Sequence, residues 1–392
     1  MPTAQELRSD VDRTLATQLL LDPSVRHVRE ELERAGKLGT RRSLLARALR
    51  LSRSIAPDVH RMMDGCIETL GVEAEVELYV HASATFNAGC TPVEDGRVFI
   101  LVTSALLEGF ESAELTYVLG HELGHHIYGH HAIPLGLILQ QAQHLSPALV
   151  LTAHTWQRHA ELSADRAGML CCGGLNGAAR GLFKLSSGLS EAPSDEAIAA
   201  FVEQAHALYD EDVSQRVSHS DWLSTHPFSP VRLRAGQVFQ RFLNGAIDQA
   251  SLERESAELL ALMEASYLEE DSEGAEAMRR LLFAAGAVVA AADGEVSRLE
   301  MDSLAGLLGP GRVPRSLNPE LLAGLLDERV ACVNDLVPGP RRVQLVRDLT
   351  LIARADGHLA NPEVSVIRDL ARALKVDPEV VSVVLASPTE VD

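Results

Sequence analysis

The sequence predicts an α+β protein that is mostly helical, and three observations support this fold class. Apolar residues recur at helical spacing through most of the chain, as in Leu115, Val118 and Leu119. Glu75–His81 and Arg97–Thr103 have the pattern of strands, so we expect one small β-sheet. The C-terminal part repeats a helical pattern, which predicts an all-α bundle after the α+β part.

Length and composition indicate two or three domains. The chain has 392 residues, and a hydrophobic content of 46% supports sizeable cores. A charged, glycine-containing segment at 267–275 interrupts the helical pattern and predicts a boundary. We therefore expect a helical N-terminal segment at 1–54, a second domain at 55–270 and an all-α domain at 276–392.

The charge of the chain argues against nucleic acids and anionic membranes as main partners, because its formal net charge is −20. The local exception is Arg41–Arg53, a basic segment predicted to form a helix with Leu44, Leu45, Ala48 and Leu51 on one face. Such a helix can bind membranes or anionic partners. Its acidic neighbours favour packing onto the body of the protein instead.

No segment has the pattern of a transmembrane helix. Ile133–Leu151 contains several glutamines, and Leu281–Ala292 is shorter than the ~20 apolar residues that span a bilayer. The N-terminus lacks the pattern of a signal peptide. The five cysteines have no metal-ligand spacing, and adjacent Cys171 and Cys172 do not indicate a disulfide. We therefore predict a cytoplasmic location.

The segment His121–His131, with the letters HELGHHIYGHH, carries the strongest functional signal. His121 and His125 are four residues apart, so on a helix both side chains lie on one face and can bind one metal ion. Glu122 lies beside them but on a different face, where it can accept a proton from water. Zinc hydrolases need this division between neutral imidazole ligands and a carboxylate general base.

The residues around this motif predict that it lies within a helix. Ser112 is the expected N-cap, and the apolar stripe continues through Leu123 and Ile127. Gly120 and Gly124 are poor helix formers. We expect these two glycines to allow another backbone, or a substrate, to approach closely.

A third zinc ligand is expected from the helical segment Arg158–Leu170. Glu161 and Asp165 are one turn apart on the same face of this helix, among small and apolar residues. Glu161 would complete a His-His-Glu ligand set. Asp165 would accept the second ring N–H of a ligand histidine and so fix its orientation. The alternative is a solvated acidic face.

Three motifs together resemble the HtpX-like zinc metallopeptidases, the family that includes the CAAX prenyl proteases: HELGH, then ELSAD from Glu161, then STHPFSPVR from Ser224. The resemblance covers roughly residues 55 to 240. It implies a zincin-like metallopeptidase domain in which His121, His125 and Glu161 bind zinc, Glu122 is the general base and Asp165 supports a ligand.

The resemblance also implies roles for residues outside the zinc ligands. Asn87 and Ala88 match the pair beside the edge strand that holds an extended substrate, while His226 and Arg232 match the pair that stabilises the oxyanion. For His226 and Arg232 the alternative is a helix cap and a surface arginine. His126, His130 and His131 could form a second metal site, but we favour support of the ligands and solvated positions.

The C-terminal part contains an internal repeat. Ala291–Val296, with the letters AADGEV, recurs as Arg354–Leu359, with the letters RADGHL, and helical patterns flank both copies. Each aspartate, Asp293 or Asp356, is followed seven residues later by a glutamate, Glu300 or Glu363. These features resemble the TerB-like helical domain named for tellurite resistance.

The repeat has two interpretations. Gly294 and Gly357 can be left-handed C-cap glycines, Ser297 and Glu300 form a capping box, and Asn361-Pro362 supplies an N-cap with a first-turn proline. Alternatively, Asp293, Glu300, Asp356 and Glu363 gather around a hard cation. We favour capping.

The sequence therefore predicts a soluble zinc metalloendopeptidase with one Zn²⁺ per chain and a protein or peptide substrate. The C-terminal domain is expected to regulate the enzyme or bind a partner protein. The alternative is a non-catalytic stress or scaffold protein that keeps zinc structurally. Glu122 favours the enzyme, because a structural zinc site has no need of an acid beside its ligands.

Overall fold

A computed structural model describes residues 3–35, 39–140, 147–210, 227–260, 272–294, 296–308, 318–337, 339–354 and 360–386. The described residues form two compact units. The first comprises the described parts of Met1–Pro134, Trp156–Leu208 and Thr225–Leu260. The second comprises the described parts of Leu135–Thr155, Tyr209–Ser224 and Ala261–Asp392. Each unit has a hydrophobic core of its own.

The described elements are predominantly helical, as the sequence predicts. In chain order the helices are α1 (Asp10–Leu21), α2 (Pro23–Ala35), α3 (Thr40–Arg47), α4 (Pro57–Leu70), α5 (Ser104–Gly109), α6 (Ser112–Ile127), α7 (Leu135–Gln140), α8 (Pro147–Cys171), α9 (Leu175–Ser187), α10 (Asp195–Asp210), α11 (Ser229–Leu243), α12 (Gln249–Leu260), α13 (Glu273–Ala290), α14 (Arg298–Leu308), α15 (Pro319–Ala323), α16 (Leu326–Leu336), α17 (Gly339–Ala353), α18 (Asn361–Ala373) and α19 (Glu379–Ala386). Short 3₁₀ helices cover Ala4–Leu7 and His130–Ala132.

The first unit contains a four-stranded mixed sheet with the order β1-β2-β4-β3. Its strands are β1 (Leu49–Arg50), β2 (Glu75–His81), β3 (Ala88–Cys90) and β4 (Arg97–Thr103). β2 and β4 have the bounds that the sequence predicts, and they pair in parallel. β1 and β3 pair antiparallel to them at the two edges. Their two and three residues are too few to show a strand pattern in the sequence.

The prediction of one basic helix over 41–53 is wrong in its second half. α3 ends at Arg47 and has no buried residue, and the chain then becomes extended. The N–H of Leu51 donates to the Leu78 carbonyl of β2, so pairing at the sheet edge replaces the helix. Arg41 and Arg50 lie 3.1 and 3.6 Å from the buried carboxylate of Glu77. Arg41 and Arg50 therefore compensate the negative charge of Glu77, which is buried in the same compact unit.

The motif helix α6 packs closely against α8, and its glycines make this possible. A Cβ on Gly120 would lie 2.8 Å from Cys171 Sγ, and one on Gly124 would lie 2.9 Å from Ala164 Cα. A Cβ on Gly168 of α8 would lie 2.6 Å from the Tyr117 carbonyl oxygen. Such contacts exclude any larger residue, which confirms the close approach of another backbone.

The cap of α6 differs from the prediction. Ser112 is the first helical residue, so the N-cap is Glu111, and the Glu111 N–H donates to the Glu114 carboxylate at 2.7 Å. Glu114 also accepts from the buried ammonium of Lys184 at 2.8 Å. The start of α6 is thereby anchored to α9.

The second unit contains the predicted helices on both sides of the repeat. α13 and α14 flank the first copy, and α17 and α18 flank the second. Gly294 has φ +94°, as expected of a turn glycine, and Gly357 lies outside the described residues. α18 begins at Asn361, so its N-cap is Ala360 rather than the predicted Asn361.

Among the described residues, no helix is long and apolar enough to cross a membrane.

Candidate metal centre

The side chains of His121, His125 and Glu161 converge between α6 and α8, and their ligand atoms all lie within 4.8 Å of one another. The two Nε2 atoms are 3.1 Å apart. Glu161 Oε1 lies 3.4 Å from His125 Nε2, and its Oε2 lies 3.5 Å from His121 Nε2. All three residues are mostly buried. The structure thus brings the predicted ligand set together.

These separations fit zinc. In a tetrahedral site with bonds of about 2.0–2.1 Å, neighbouring ligand atoms lie about 3.4 Å apart. Two imidazole nitrogens and one carboxylate oxygen are also a donor set that zinc prefers. Three protein ligands would leave the fourth position of a tetrahedral zinc ion for water or substrate, as in catalytic rather than structural zinc sites.

Glu122 lies beside the ligand triad without being part of it. Its side chain is buried, and its charge acts on His125 and Cys90. Burial lowers the pKa of His125, but the carboxylates of Glu161 and Glu122 outweigh this effect and raise that pKa. Burial and the Glu122 charge likewise raise the pKa of the Cys90 thiol on β3. The site is therefore rich in negative charge, which suits a bound cation.

Asp165 holds the second ring nitrogen of His121. The His121 Nδ1–H donates to Asp165 Oδ1 at 2.9 Å, so the Nε2 lone pair is directed toward the other ligands. Arg232 donates to both carboxylate oxygens, at 2.6 and 2.9 Å, and the Tyr117 hydroxyl donates at 2.6 Å. Burial raises the pKa of Asp165, but the charge and hydrogen bonds of Arg232 dominate and hold it well below its usual range.

His130 holds the second ring nitrogen of the other ligand, His125. The two Nδ1 atoms are 2.8 Å apart, and His130 Nε2 lies 3.0 Å from Asp12 Oδ2. Burial lowers the pKa of His130 to about 4, so its imidazole is neutral at ordinary pH. His130 thus takes the supporting position that we favoured for it over a second metal site. Among the described residues, only His121, His125 and Glu161 form a cluster of metal-ligand geometry.

Asn87 and Ala88 lie at the sheet edge nearest the motif helix. β3 is the edge strand of the described sheet, and α6 contacts it. Asn87 and Thr91 hydrogen-bond to β4 through their backbones, so alternation directs the backbone groups of Ala88 and Cys90 away from β4. The Asn87 side chain accepts from the Ala88 N–H at 2.9 Å.

The remaining predicted site residues divide into two groups. Arg232 is buried behind the ligands, bound to Asp165 and 3.5 Å from Glu161 Oε2. His226 and Asp356 lie outside the described residues. No pattern in the sequence indicated Asp12. Tyr117 carried a weak signal, because it precedes His121 by one helical turn.

In the second unit, Glu300 and Glu363 are buried and lie close together. Each carboxylate caps its own helix: Glu300 accepts from the Ser297 N–H at 2.9 Å, and Glu363 accepts from the Ala360 N–H at 2.7 Å. The Ser297 hydroxyl in turn accepts from the Glu300 N–H, which completes the predicted capping box. Burial, a hydrogen bond with Glu300 and the charges of Glu300 and Asp293 raise the pKa of Glu363 to about 8.

The ligand triad on two packed helices, with a carboxylate beside it, is the arrangement that zinc hydrolases use. Residues 54–237 match the model of Peptidase family M48, and residues 326–383 match that of Tellurite resistance protein TerB. The chain thus contains a peptidase M48 domain followed by a TerB domain. The narrower HtpX-like resemblance stays a prediction within that family.

A curated relative is the plastoglobule-localized metallopeptidase 48, chloroplastic, of Arabidopsis thaliana. It is 32% identical over 208 residues, which cover 49% of this chain and 60% of the relative. The chain therefore spans less than two thirds of the length of this relative. No solved structure gives a significant match.

Proposed function

We propose that this protein is a zinc-dependent endopeptidase that cleaves extended segments of protein or peptide substrates. One observation carries the proposal: the ligand atoms of His121, His125 and Glu161 have the spacing of a tetrahedral zinc site, with Glu122 beside them. The family of the matched domain and the name of the relative agree with a metallopeptidase.

The residues of the site have distinct tasks in this proposal. His121, His125 and Glu161 would hold one zinc ion, which supplies a Lewis acid for the carbonyl and for water. Glu122 accepts a proton from the attacking water and delivers it to the leaving amine. His226 would donate to the carbonyl oxygen as negative charge develops on it, and Arg232 would stabilise that charge from its buried position on Asp165, through its own positive charge. Asp165 keeps His121 oriented.

The substrate would bind as an additional strand along β3. The backbone groups of Ala88 and Cys90 are directed away from β4, which is the side that an incoming strand needs. At the end of this edge, the Ala88 N–H donates to the Asn87 side chain. Because α6, the helix that carries Glu122, contacts β3, a peptide bound at this edge would pass close to the general base.

We assign the TerB domain a regulatory or target-binding role, because the predicted catalytic residues all precede it in the chain. We place the action of the enzyme in the cytoplasm, since all five cysteines are free in the structure. Imaging of the tagged full-length chain tests the location.

Proteome-wide cleavage mapping with the wild type and Glu122→Gln tests the activity. The glutamine variant should bind zinc but yield no new peptide termini, because an amide cannot accept the proton of water. Equal sets of termini in both samples would leave the alternative, a non-catalytic protein that keeps zinc structurally.

A further inference from the structure

We infer that Asp12, on a helix outside the peptidase M48 match, is a positioning residue for the metal centre: it fixes His130, and His130 fixes the ligand His125. This relay, from Asp12 through His130 to His125, would act on one zinc ion bound at the proposed site. The inference rests on the proposed metal site but does not require peptidase activity.

The position of Asp12 is built by several parts of the first unit. Its side chain has no exposed surface, and it accepts hydrogen bonds from Arg8 at 2.8 Å, Ser163 at 2.8 Å and Trp156 at 3.0 Å. His130 Nε2 is its fourth partner. A buried carboxylate with this many donors is held in one orientation. The matched family segment begins at residue 54, so it does not include Asp12.

Further contacts attach the N-terminal segment that carries Asp12 to the end of α6 and to α8. The Ala4 carbonyl accepts from the Tyr128 hydroxyl at 2.8 Å, and the Leu7 carbonyl accepts from Arg166 at 3.2 Å. The Ser9 N–H donates to Ser163 at 3.1 Å. These contacts hold the segment beside α6 and α8, the two helices that carry the ligand triad.

Proton placement follows from the chemistry of each partner. An ionised carboxylate only accepts, so the His130 Nε2 atom facing Asp12 must carry the hydrogen. The Nδ1 atoms of His130 and His125 are 2.8 Å apart, so the hydrogen between them belongs to one ring and the other ring accepts it. With its own hydrogen at Nε2, the His130 ring accepts from the His125 Nδ1–H. His125 consequently has its lone pair at Nε2, the atom that faces Glu161 and His121.

The opposite tautomer would disable the ligand. If His130 carried its hydrogen at Nδ1, it would donate to His125 Nδ1, and the His125 hydrogen would move to Nε2. A protonated Nε2 cannot bind a metal. Asp12 therefore selects the metal-binding tautomer of His125 through His130, whereas Asp165 does so for His121 by direct contact.

The test is a double-mutant cycle on zinc affinity, measured by chelator competition on the full chain. Asp12→Asn and His130→Ala should each weaken zinc binding by roughly 10–100-fold, the usual effect of removing such a support. The double variant should bind zinc as His130→Ala does, because Asp12 acts only through His130. Additive losses would overturn the relay, and so would unchanged affinity in Asp12→Asn.

Ser9→Ala is the matched control. It removes a part-buried hydrogen bond between the same segment and Glu253 without touching His130, so zinc affinity should stay at the wild-type value. A loss equal to that of Asp12→Asn would indicate a general effect of loosening the segment and overturn the inference.

A second measurement needs no variant and applies even if Asp12→Asn fails to fold. ¹⁵N NMR of histidines in the full-length wild type should show the Nε2–H tautomer for His130 and the Nδ1–H tautomer for His125. Opposite tautomers overturn the relay. Absence of zinc binding by the wild type would instead contradict the proposed function, so the two failures are distinguishable.

Discussion

Asp165 in the first compact unit and Glu363 in the second are both buried carboxylates, but the charges around them have opposite signs. Asp165 is bound by Arg232 and a ring N–H of His121, and its pKa lies well below the usual range. Glu363 faces Glu300 and the charge of Asp293, and its pKa is about 8.

The difference shows what turns buried acids into a metal centre. In the first unit, Arg232 keeps Asp165 ionised and Arg8 keeps Asp12 ionised. Each carboxylate, directly or through His130, directs the Nε2 lone pair of a ligand histidine toward the proposed zinc site. In the second unit, Glu300 and Glu363 each accept a backbone N–H at a helix start, and burial and the neighbouring Glu300 raise the pKa of Glu363. Capping therefore accounts for these two glutamates without any cation.

The largest expected effect comes from removing a proposed ligand. Glu161→Ala should reduce the zinc content from about one ion per chain to almost none after dialysis, because two ligands and water hold the metal far more weakly than three. Metal analysis measures this directly. Glu363→Gln is the matched control in the second unit and should keep the full zinc content. Full occupancy in Glu161→Ala would place the third ligand elsewhere.

The next largest effect separates the two residues proposed for the oxyanion. His226→Ala should lower kcat by about 10²–10³-fold while zinc affinity is retained. Arg232 also supports Asp165, so Arg232→Ala should lower both kcat and zinc affinity, the latter by roughly 10–100-fold. Steady-state kinetics and chelator competition give the two quantities. Unchanged kcat in both variants would remove them from the mechanism.

The pH dependence of stability should have opposite signs in the two units. The pKa of Asp165 is lowered on folding, so its contribution is present above the unfolded value of 3.8 and is lost as the pH falls toward the folded value. The pKa of Glu363 is raised, so its contribution is complete below 4.5 and is lost as the pH rises to about 8.

Hydrogen exchange of the full chain, followed separately in α6 and α18, measures the two effects. Protection of α18 should decrease between pH 5 and pH 8 in the wild type, beyond the intrinsic change in exchange rate. Glu363→Gln keeps the shape of the side chain and should remove this dependence. A variant with the same pH dependence as the wild type would show that Glu363 does not cause it.

The smallest effect is expected from removing the part of the second unit that follows Ser272. Truncation near Ser272 should leave zinc binding and the hydrolysis of a short unstructured peptide unchanged, because the proposed catalytic residues precede that point. Cleavage of the physiological target should change instead. Precipitation of the truncated chain, or loss of zinc from it, would mean that the two units depend on a shared core.

The sequence predicted what local patterns encode. The spacing of His121 and His125 located the motif helix, and strands β2 and β4 have their predicted bounds. The role of Asp12 was not predicted, because its partner His130 lies 118 residues away in the sequence. A single aspartate in a helix also has no distinguishing local pattern. The strand at Leu49–Arg50 was not predicted either, because its pairing with β2 outweighs the helical spacing of the leucines.

The most direct test of the proposed metal centre is a zinc titration of the metal-free full chain, with metal uptake and hydrolysis of an unstructured peptide followed together. Wild-type activity should rise linearly and stop at one equivalent of zinc. Glu122→Gln should take up the same single equivalent with activity reduced by several orders of magnitude. Activity in Glu122→Gln, or wild-type activity that does not depend on zinc, would contradict the account.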